Sequence, residues 1–290
     1  MKSYTIKNFD KQFPSEESCL EYVKNIRFPD GIYCEKCQKV TTHYRIANRK
    51  VYSCNFCGTQ VSPTANTIFH KSVTPLRIWF YAIFVISSTR CGISAKQIER
   101  ETGVTYKTAW RMCKQIRTLL NEDTGFMFGK IEVDETYIGG RRQGKRGRGA
   151  TGKTIVAGIV QRKAKVFASV VPDVKSQTLL PMIQEKALLD STIYTDEMPS
   201  YNRLNRIGYE HETIHHVNRV YVNGDIHTNT IEGFWSLIKR GISGVYHSVS
   251  PHYLQSYVNE YAFRYNHRKD ETPMFQTVLN RASSLVSSRR

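Results

Sequence analysis

Lys130-Ile131-Glu132-Val133-Asp134 is the stretch on which the fold turns. Ile131 and Val133 alternate with polar neighbours at the two-residue period of a strand, so the run reads as a core strand closed by a carboxylate. A second run of the same kind, Ser191-Thr192-Ile193-Tyr194-Thr195-Asp196, also ends on an aspartate. A buried carboxylate is costly unless it is paired or holds a cation. Two core strands that each deliver one therefore require a compensating positive charge. A third acid, Glu232, opens the helical run Ile231-Glu232-Gly233-Phe234-Trp235-Ser236-Leu237-Ile238-Lys239. There Ile231, Phe234, Trp235 and Ile238 recur at i, i+3, i+4 and i+7 and face a core. Asn229, Glu232, Ser236 and Lys239 fall on an adjoining polar stripe, with Glu232 and Lys239 about two turns apart. Glu132 and Glu135 flank Asp134 and compete with it for the same role.

The charge balance says what such acids would face. The 290 residues carry a formal net charge of +17 and a pI near 9.6. That excess points to a polyanionic partner, and to nucleic acid before an anionic membrane surface. Met1-Lys2-Ser3-Tyr4-Thr5-Ile6-Lys7 has no apolar export core, and the longest greasy stretch, Ile78 to Ile86, is too short to span a bilayer. It reads as a buried helix. Seven cysteines, an odd number, argue against a secreted disulfide framework and for a reducing, cytoplasmic compartment; a DNA partner would place the protein beside the nucleoid. Carboxylates in a basic chain suit magnesium or manganese, hard ions that take one or two carboxylates together with phosphate oxygens. Two such ions clamp the attacking and leaving oxygens of an in-line phosphoryl displacement.

The patterning is α/β and multi-domain. Residues 1–71 hold a helix capped by Ser15, with Cys19, Leu20, Val23 and Ile26 at helical spacing, followed by two cysteine pairs. Cys34-x2-Cys37 and Cys54-x2-Cys57 are separated by sixteen residues, the spacing of a closed tetrahedral zinc site with a structural role. Between them Thr41–Ile46 and Lys50–Ser53 read as the hairpin of a zinc ribbon. Cys19, Cys91 and Cys113 read as core residues. Residues 72–125 read as helical, with Pro75 at the first helical position. Residues 126–245 alternate strand and helix patterns, and Lys153–Ile159 and Lys165–Val171 form a predicted hairpin. Residues 246–290 are helical and are expected to pack on the preceding domain. Their Tyr257, Tyr261, Phe263, Arg264, Tyr265, His267 and Arg268 form an aromatic-basic face, with DNA contact by Arg264 or Arg268 secondary to packing.

Several segments address DNA directly. Ser94 to Met112 fits a helix, a tight turn at Gly103 and a second helix, a helix-turn-helix that presents Thr105, Tyr106, Lys107 and Arg111 to a major groove. Ala109, Trp110 and Met112 would mostly pack inside. A glycine-rich basic run from Gly139 to Ala150 contains Arg141, Arg142, Lys145, Arg146 and Arg148 and reads as an arm that tracks the DNA backbone. Lys239 and Arg240 are the cations expected nearest the acids. His211, His215 and His216 lie around an expected strand over 212–216, without an established metal-ligand spacing.

The phrases Glu132-Val133-Asp134-Glu135-Thr136-Tyr137-Ile138-Gly139-Gly140, Thr195-Asp196 with Tyr201, and His227 to Arg240 resemble motifs of a group of bacterial insertion-sequence transposases related to eukaryotic Merlin elements, which carry an N-terminal zinc ribbon. The likeness runs over nearly the whole chain, including Ser62-Pro63-Thr64 and Thr67-Ile68-Phe69-His70-Lys71 after the ribbon. It implies a ribonuclease-H-like catalytic domain with Asp134, Asp196 and Glu232 as catalytic magnesium ligands, and Lys239 beside them. Asn229, and after it His227, are rival third ligands. It also implies cleavage at the ends of a mobile element and joining to target DNA. Joining two ends implies a homodimer or higher assembly. A nuclease of the same fold without strand transfer, or a non-catalytic DNA-binding remnant or regulator, is the alternative.

Overall fold

The computed structural model describes residues 4–47, 49–139, 152–214 and 227–285. The chain divides into two compact units, one of Met1–Thr89, Ile93–Leu119 and Asp270–Arg290, the other of Arg90–Gly92 and Leu120–Lys269.

In the first unit, α1 (Ile6–Gln12) and α2 (Glu16–Arg27) start on Thr5 and Ser15, whose hydroxyls accept from the third helical amide. Ser15 is thus the cap that the sequence indicates. Cys19, Leu20 and Val23 are buried as expected, whereas Ile26 is exposed in the last turn. Five short strands follow: β1 (Tyr33–Cys34), β2 (Lys39–Val40), β3 (His43–Arg45), β4 (Tyr52–Cys54) and β5 (Gln60–Val61). They pair as β1-β2 and as an antiparallel β3-β4-β5 sheet. Helix α3 (Leu76–Ser88) begins one residue after Pro75, which caps it. Its first amides, of Leu76 and Arg77, donate to the Glu16 carboxylate at 2.8 and 3.1 Å, satisfying donors a helix start leaves open. Helices α4 (Ala95–Thr102) and α5 (Tyr106–Thr118) meet at Gly103, whose φ of +73° is the left-handed conformation that glycine adopts without a Cβ penalty.

The second unit is built on a sheet of β6 (Lys130–Ile138), β7 (Thr154–Gln161), β8 (Val166–Val171), β9 (Thr192–Asp196) and β10 (Glu210–Ile214). The spatial order is β10-β9-β6-β7-β8. β6, β7 and β8 form an antiparallel meander, and β9 and β10 add in parallel on the other side of β6. One sheet face packs on α6 (Ser176–Lys186) through Ile131, Val133, Ile159, Leu179, Ile183 and Ile193. The opposite face packs on α7 (Asn229–Gly241) and α8 (Pro251–Asn266) through Val156, Val160, Ile231, Phe234, Trp235, Leu254 and Val258. Alternation therefore puts Lys130, Glu132 and Asp134 on the α7 face of β6.

Three further expectations change. Asp134 does not close its strand: β6 runs on to Ile138, with Asp134 opposite Gly158 of β7. The C-terminal segment 246–290 does not stay together. α8 packs on β8, but α9 (Met274–Ser283) lies in the first unit, where Phe275 joins a ring cluster with Phe9, Phe13 and Phe84. Pro273, the N-cap of α9, separates the two helices. Cys91 is exposed rather than core; its backbone carbonyl accepts from the Tyr261 hydroxyl at 2.8 Å. Among the described residues, no helix is long and apolar enough to cross a membrane.

Candidate functional site

A pocket of about 480 Å³ opens on the α7 side of the sheet, and Asp134, Asp196 and Glu232 all line it. Each arrives on a different element. Asp134 points up from the middle of β6, next to the helix that crosses it. Gly158, its partner on β7, leaves the space: a Cβ there would sit 2.6 Å from the Trp235 ring. The indole lies in that space, and its Nε1–H donates to Asp134 Oδ2 at 3.0 Å. Burial pushes the Asp134 carboxyl up to about 6, and the charges of Asp196 and Glu232 push the same way. The Glu135 amide and the Trp235 indole oppose that rise by hydrogen bonding to the charged form.

Asp196 is the last residue of β9, as the sequence indicates, and its Oδ1 accepts from the Met198 amide at 3.0 Å. Glu232 stands in the first turn of α7, where the Thr228 hydroxyl donates to its Oε1 at 3.0 Å. Ser236, Lys239 and Arg240 line the same pocket from successive turns of that helix. Asn229 is exposed and is not among the residues that line the pocket. His227 is turned elsewhere, with Nδ1 3.3 Å from Glu132.

The acids that flank Asp134 are engaged differently. Glu132 is fully buried and bridges β6 to the start of α7. Its carboxylate accepts from Arg162 Nε at 2.7 Å, the Thr230 hydroxyl at 2.8 Å and the Ile231 amide at 2.9 Å. Arg162 also donates to the His227 carbonyl at 2.6 Å. A carboxylate at a helix N-terminus is favoured by the open amides and by the helix dipole. Glu135, on the other face, accepts from the buried Tyr201 hydroxyl at 3.1 Å. Burial, with Glu135 and Asp134 nearby, raises that phenol well above its ordinary value and keeps it a donor.

The four cysteines meet as their spacing requires. Their sulfurs lie within 4.8 Å of one another, with Cys34 and Cys57 at 3.4 Å and Cys37 and Cys54 at 3.9 Å. Four sulfurs about 2.3 Å from one tetrahedral zinc would be about 3.8 Å apart, so the set fits zinc. The Thr41 hydroxyl, 3.2 Å from Cys54 Sγ, leads the causes that hold the Cys54 thiol down to about 5. All four positions are protein ligands, the mark of a structural site. The carboxylates also fit a metal by donor type, being hard oxygens, but they are more widely spread. Among the described residues, the cysteines are the one such group with all ligand atoms inside 4.8 Å.

Thr105, Tyr106, Lys107 and Arg111 are all exposed at the start of α5, and Ala109 and Met112 are buried beneath them. Lys96 of α4 stands 5.1 Å from the Tyr106 ring centre. Arg141, Arg142, Lys145, Arg146, Arg148, His215 and His216 lie outside the described residues. His211 is paired with the Thr195 hydroxyl at 2.8 Å. Arg264 and Arg268 make local contacts: Arg264 pairs with buried Glu260 at 2.6 Å, and Arg268 stacks 3.7 Å from the Tyr265 ring centre. Residue-by-residue reading missed Gly158, Trp235 as a donor, and the Glu132–Arg162 pair. The signal for the first two was a glycine inside an apolar strand, a sign of close approach by another group.

Residues 126–266 match the ISXO2-like transposase domain, and residues 14–60 match the transposase zinc-ribbon domain. An uncharacterized protein in transposable element ISH50 of Halobacterium salinarum is 28% identical, over 94% of this chain and 98% of the relative. An uncharacterized transposase-like protein of Haemophilus influenzae is 36% identical, over 36% of this chain and 83% of the relative. Among solved structures, a simian T-cell lymphotropic virus intasome in complex with the PP2A regulatory subunit B56 gamma matches at 16% identity and a TM-score of 0.30. That match covers 62% of this chain and 65% of the other, less than two thirds of its length.

Proposed function

Because the chain belongs to the ISXO2-like transposase family, we propose that it cuts DNA at the ends of a mobile element and joins the freed 3′-hydroxyl to target DNA. The observation that carries this is the convergence of Asp134, Asp196 and Glu232 on one pocket rimmed by Lys239 and Arg240. A sheet of three antiparallel strands extended by two parallel ones supports a ribonuclease-H-like reading of the second unit. Three carboxylates on one pocket fit, by donor type, the pair of divalent ions that serves in-line phosphoryl transfer.

Bound magnesium or manganese would supply the charge that activates the attacking oxygen and stabilises the leaving one. Asp134, whose carboxyl feels the charges of both Asp196 and Glu232, would hold the metal together with them. The Trp235 indole fixes one of its oxygens at the pocket wall. Lys239 and Arg240 draw the phosphates in and neutralise them. Water attacks the phosphodiester at the element end in the first step and displaces the element's 3′-oxygen; in the second, that 3′-hydroxyl attacks a target phosphodiester and displaces the target's own 3′-oxygen. The zinc-held ribbon and the exposed start of α5 are the surfaces suited to bind the terminal repeats. Bringing two ends together requires a dimer or larger assembly.

The test incubates the full chain with duplexes that carry the element ends and flanks, in magnesium or manganese. Wild type should give metal-dependent nicks and joined products, and Asp134→Asn should give neither. Glu232→Gln should abolish cleavage, whereas Asn229→Ala should retain it; the opposite ranking refutes Glu232 as the third ligand. Cut but never joined products would reduce the activity to that of a nuclease.

A further inference from the structure

A second cleft, of about 610 Å³, opens in the same unit beside the start of α7. Phe128, Lys130, Arg162, Lys163, His227 and Tyr265 line it, and none of its described lining residues is acidic. Lys130 and Lys163 are exposed. Lys163 occupies the tip of the β7–β8 turn with a φ of +62°, a left-handed conformation that fixes where the side chain leaves the turn. Phe128 is 63% exposed on the rim. Arg162 is the floor: Glu132 and the His227 carbonyl hold its guanidinium, which stacks 4.3 Å from the Tyr194 ring centre.

This cleft and the carboxylate pocket are successive positions along one track. Lys130 and Asp134 share a face of β6, and four residues at about 3.3 Å each put them about 13 Å apart. On α7's side the two clefts are lined by neighbours in sequence, His227 and Thr228. Phosphates of one strand recur every 3.4 Å or so along the axis of B-form DNA and about twice as far apart along an extended strand, so about 13 Å corresponds to about two to four of them.

We propose that this cleft is a nucleotide subsite for the DNA strand that enters the carboxylate pocket, about two to four nucleotides from the reacting phosphate. A phosphate lies against Lys130 and Lys163, and a base lies on the Phe128 ring. Aromatic stacking with cations beside it accepts any base, and such a pair of contacts is how single strands are held without sequence preference. A free nucleotide offers the same groups, but the shared track along β6 and α7 favours the strand. The inference rests on the transposase reading, because it needs DNA in the neighbouring pocket.

The experiment uses the full chain and an oligonucleotide series in which one abasic site is stepped away from the cut position. With wild type, one abasic site about two to four nucleotides away should raise the KM for cleavage about tenfold, within the range for loss of one stacked base. Phe128→Ala should show that raised KM on intact DNA, with kcat retained and no further abasic penalty. Lys130→Gln with Lys163→Gln should flatten the salt dependence of binding by about one to two phosphate contacts. A flat abasic series in wild type, or a wild-type KM and salt slope in the variants, overturns the subsite. So does competition by a deoxynucleoside monophosphate alongside a flat abasic series. Binding of the same series by Asp134→Asn, read by fluorescence anisotropy, keeps the subsite testable if wild type makes no nick. Absence of nicking refutes the transposase reading; a flat anisotropy series refutes the subsite.

Discussion

Glu132 should hold the α7 helix, and with it Glu232, in place. Its carboxylate is fully buried and faces an Arg162 side chain that is only 11% exposed. Glu132→Ala would take the buried carboxylate away from that guanidinium and the acceptor away from the Ile231 amide. Breaking a buried pair from one side costs about 3–5 kcal/mol, a large part of the roughly 5–15 kcal/mol that holds a domain folded. Glu132→Gln keeps the shape and one acceptor but loses the charge, for about 1.5–3 kcal/mol. Arg162→Met exposes the same dependence from the other side. The double variant Glu132→Gln/Arg162→Met removes both charges together, so its cost should fall below the sum of the singles by about 1.5–3 kcal/mol, within the range seen for contacting pairs. The assay is urea unfolding of the zinc-loaded chain, followed by fluorine NMR of fluorotryptophan at Trp235, which reports on α7 against β7. Single effects that add to within about 0.5 kcal/mol would refute the coupling. A Glu132→Ala midpoint equal to wild type would refute the anchor itself.

Other predictions test the pocket and the ribbon. Gly158→Ala puts a Cβ 2.6 Å from the Trp235 ring and should cost about 1–3 kcal/mol through overpacking. Metal-dependent nicking by the folded Gly158→Ala variant should fall, because the indole that fixes Asp134 is displaced; equal nicking by Gly158→Ala and wild type would count against that. The Asp134 carboxyl is raised from near 3.8 to about 6, so between those values the folded state binds more protons than the unfolded one. Without added divalent ion, stability should therefore fall as pH rises through that window. Asp134→Asn should remove that fall, seen as a pH-dependent difference between the two urea midpoints. Divalent-ion affinity should drop as pH falls below about 6, because the ion competes with the proton, and titration calorimetry would read it. Cys54→Ser should release zinc and make the first unit protease-sensitive, and cobalt substituted into wild type should show tetrahedral thiolate absorption.

What the sequence disclosed followed the range of the interactions. The cysteine spacing is a local constraint, and it led directly to the sulfur cluster. Ser15, Gly103 and the β7–β8 hairpin are likewise matters of a few residues. Asp196 at a strand end and Glu232 in a first helical turn were legible because apolar periodicity marks where each element stops and starts. The end of β6 was not legible, since Glu135 and Thr136 look like the polar end of a strand. Both are buried, and Glu135 is accommodated by Tyr201, a partner far along the chain. The fate of α9 was hidden for the same reason: its apolar stripe fits any core, and only the rings of the first unit decide which.

The role of Glu132 shows how position on one strand separates three like-sided residues. Lys130, Glu132 and Asp134 share a face of β6 at two-residue steps. Glu132 meets the open amides of α7 and becomes an anchor with Arg162. Asp134, one step on, passes the first turn of that helix and emerges in the pocket beneath Trp235. Lys130, one step back, lies beyond the helix start and reaches the second cleft. The helix start thus sorts the face into a basic stop, a buried joint and an acidic stop. A shift of α7 by one turn, about 5.4 Å, would remove Glu232 from Asp134 and the Ile231 amide from Glu132 together. The anchor and the pocket are therefore one geometric requirement, and loss of the Glu132 contacts should impair metal-dependent cleavage even in a variant that remains folded.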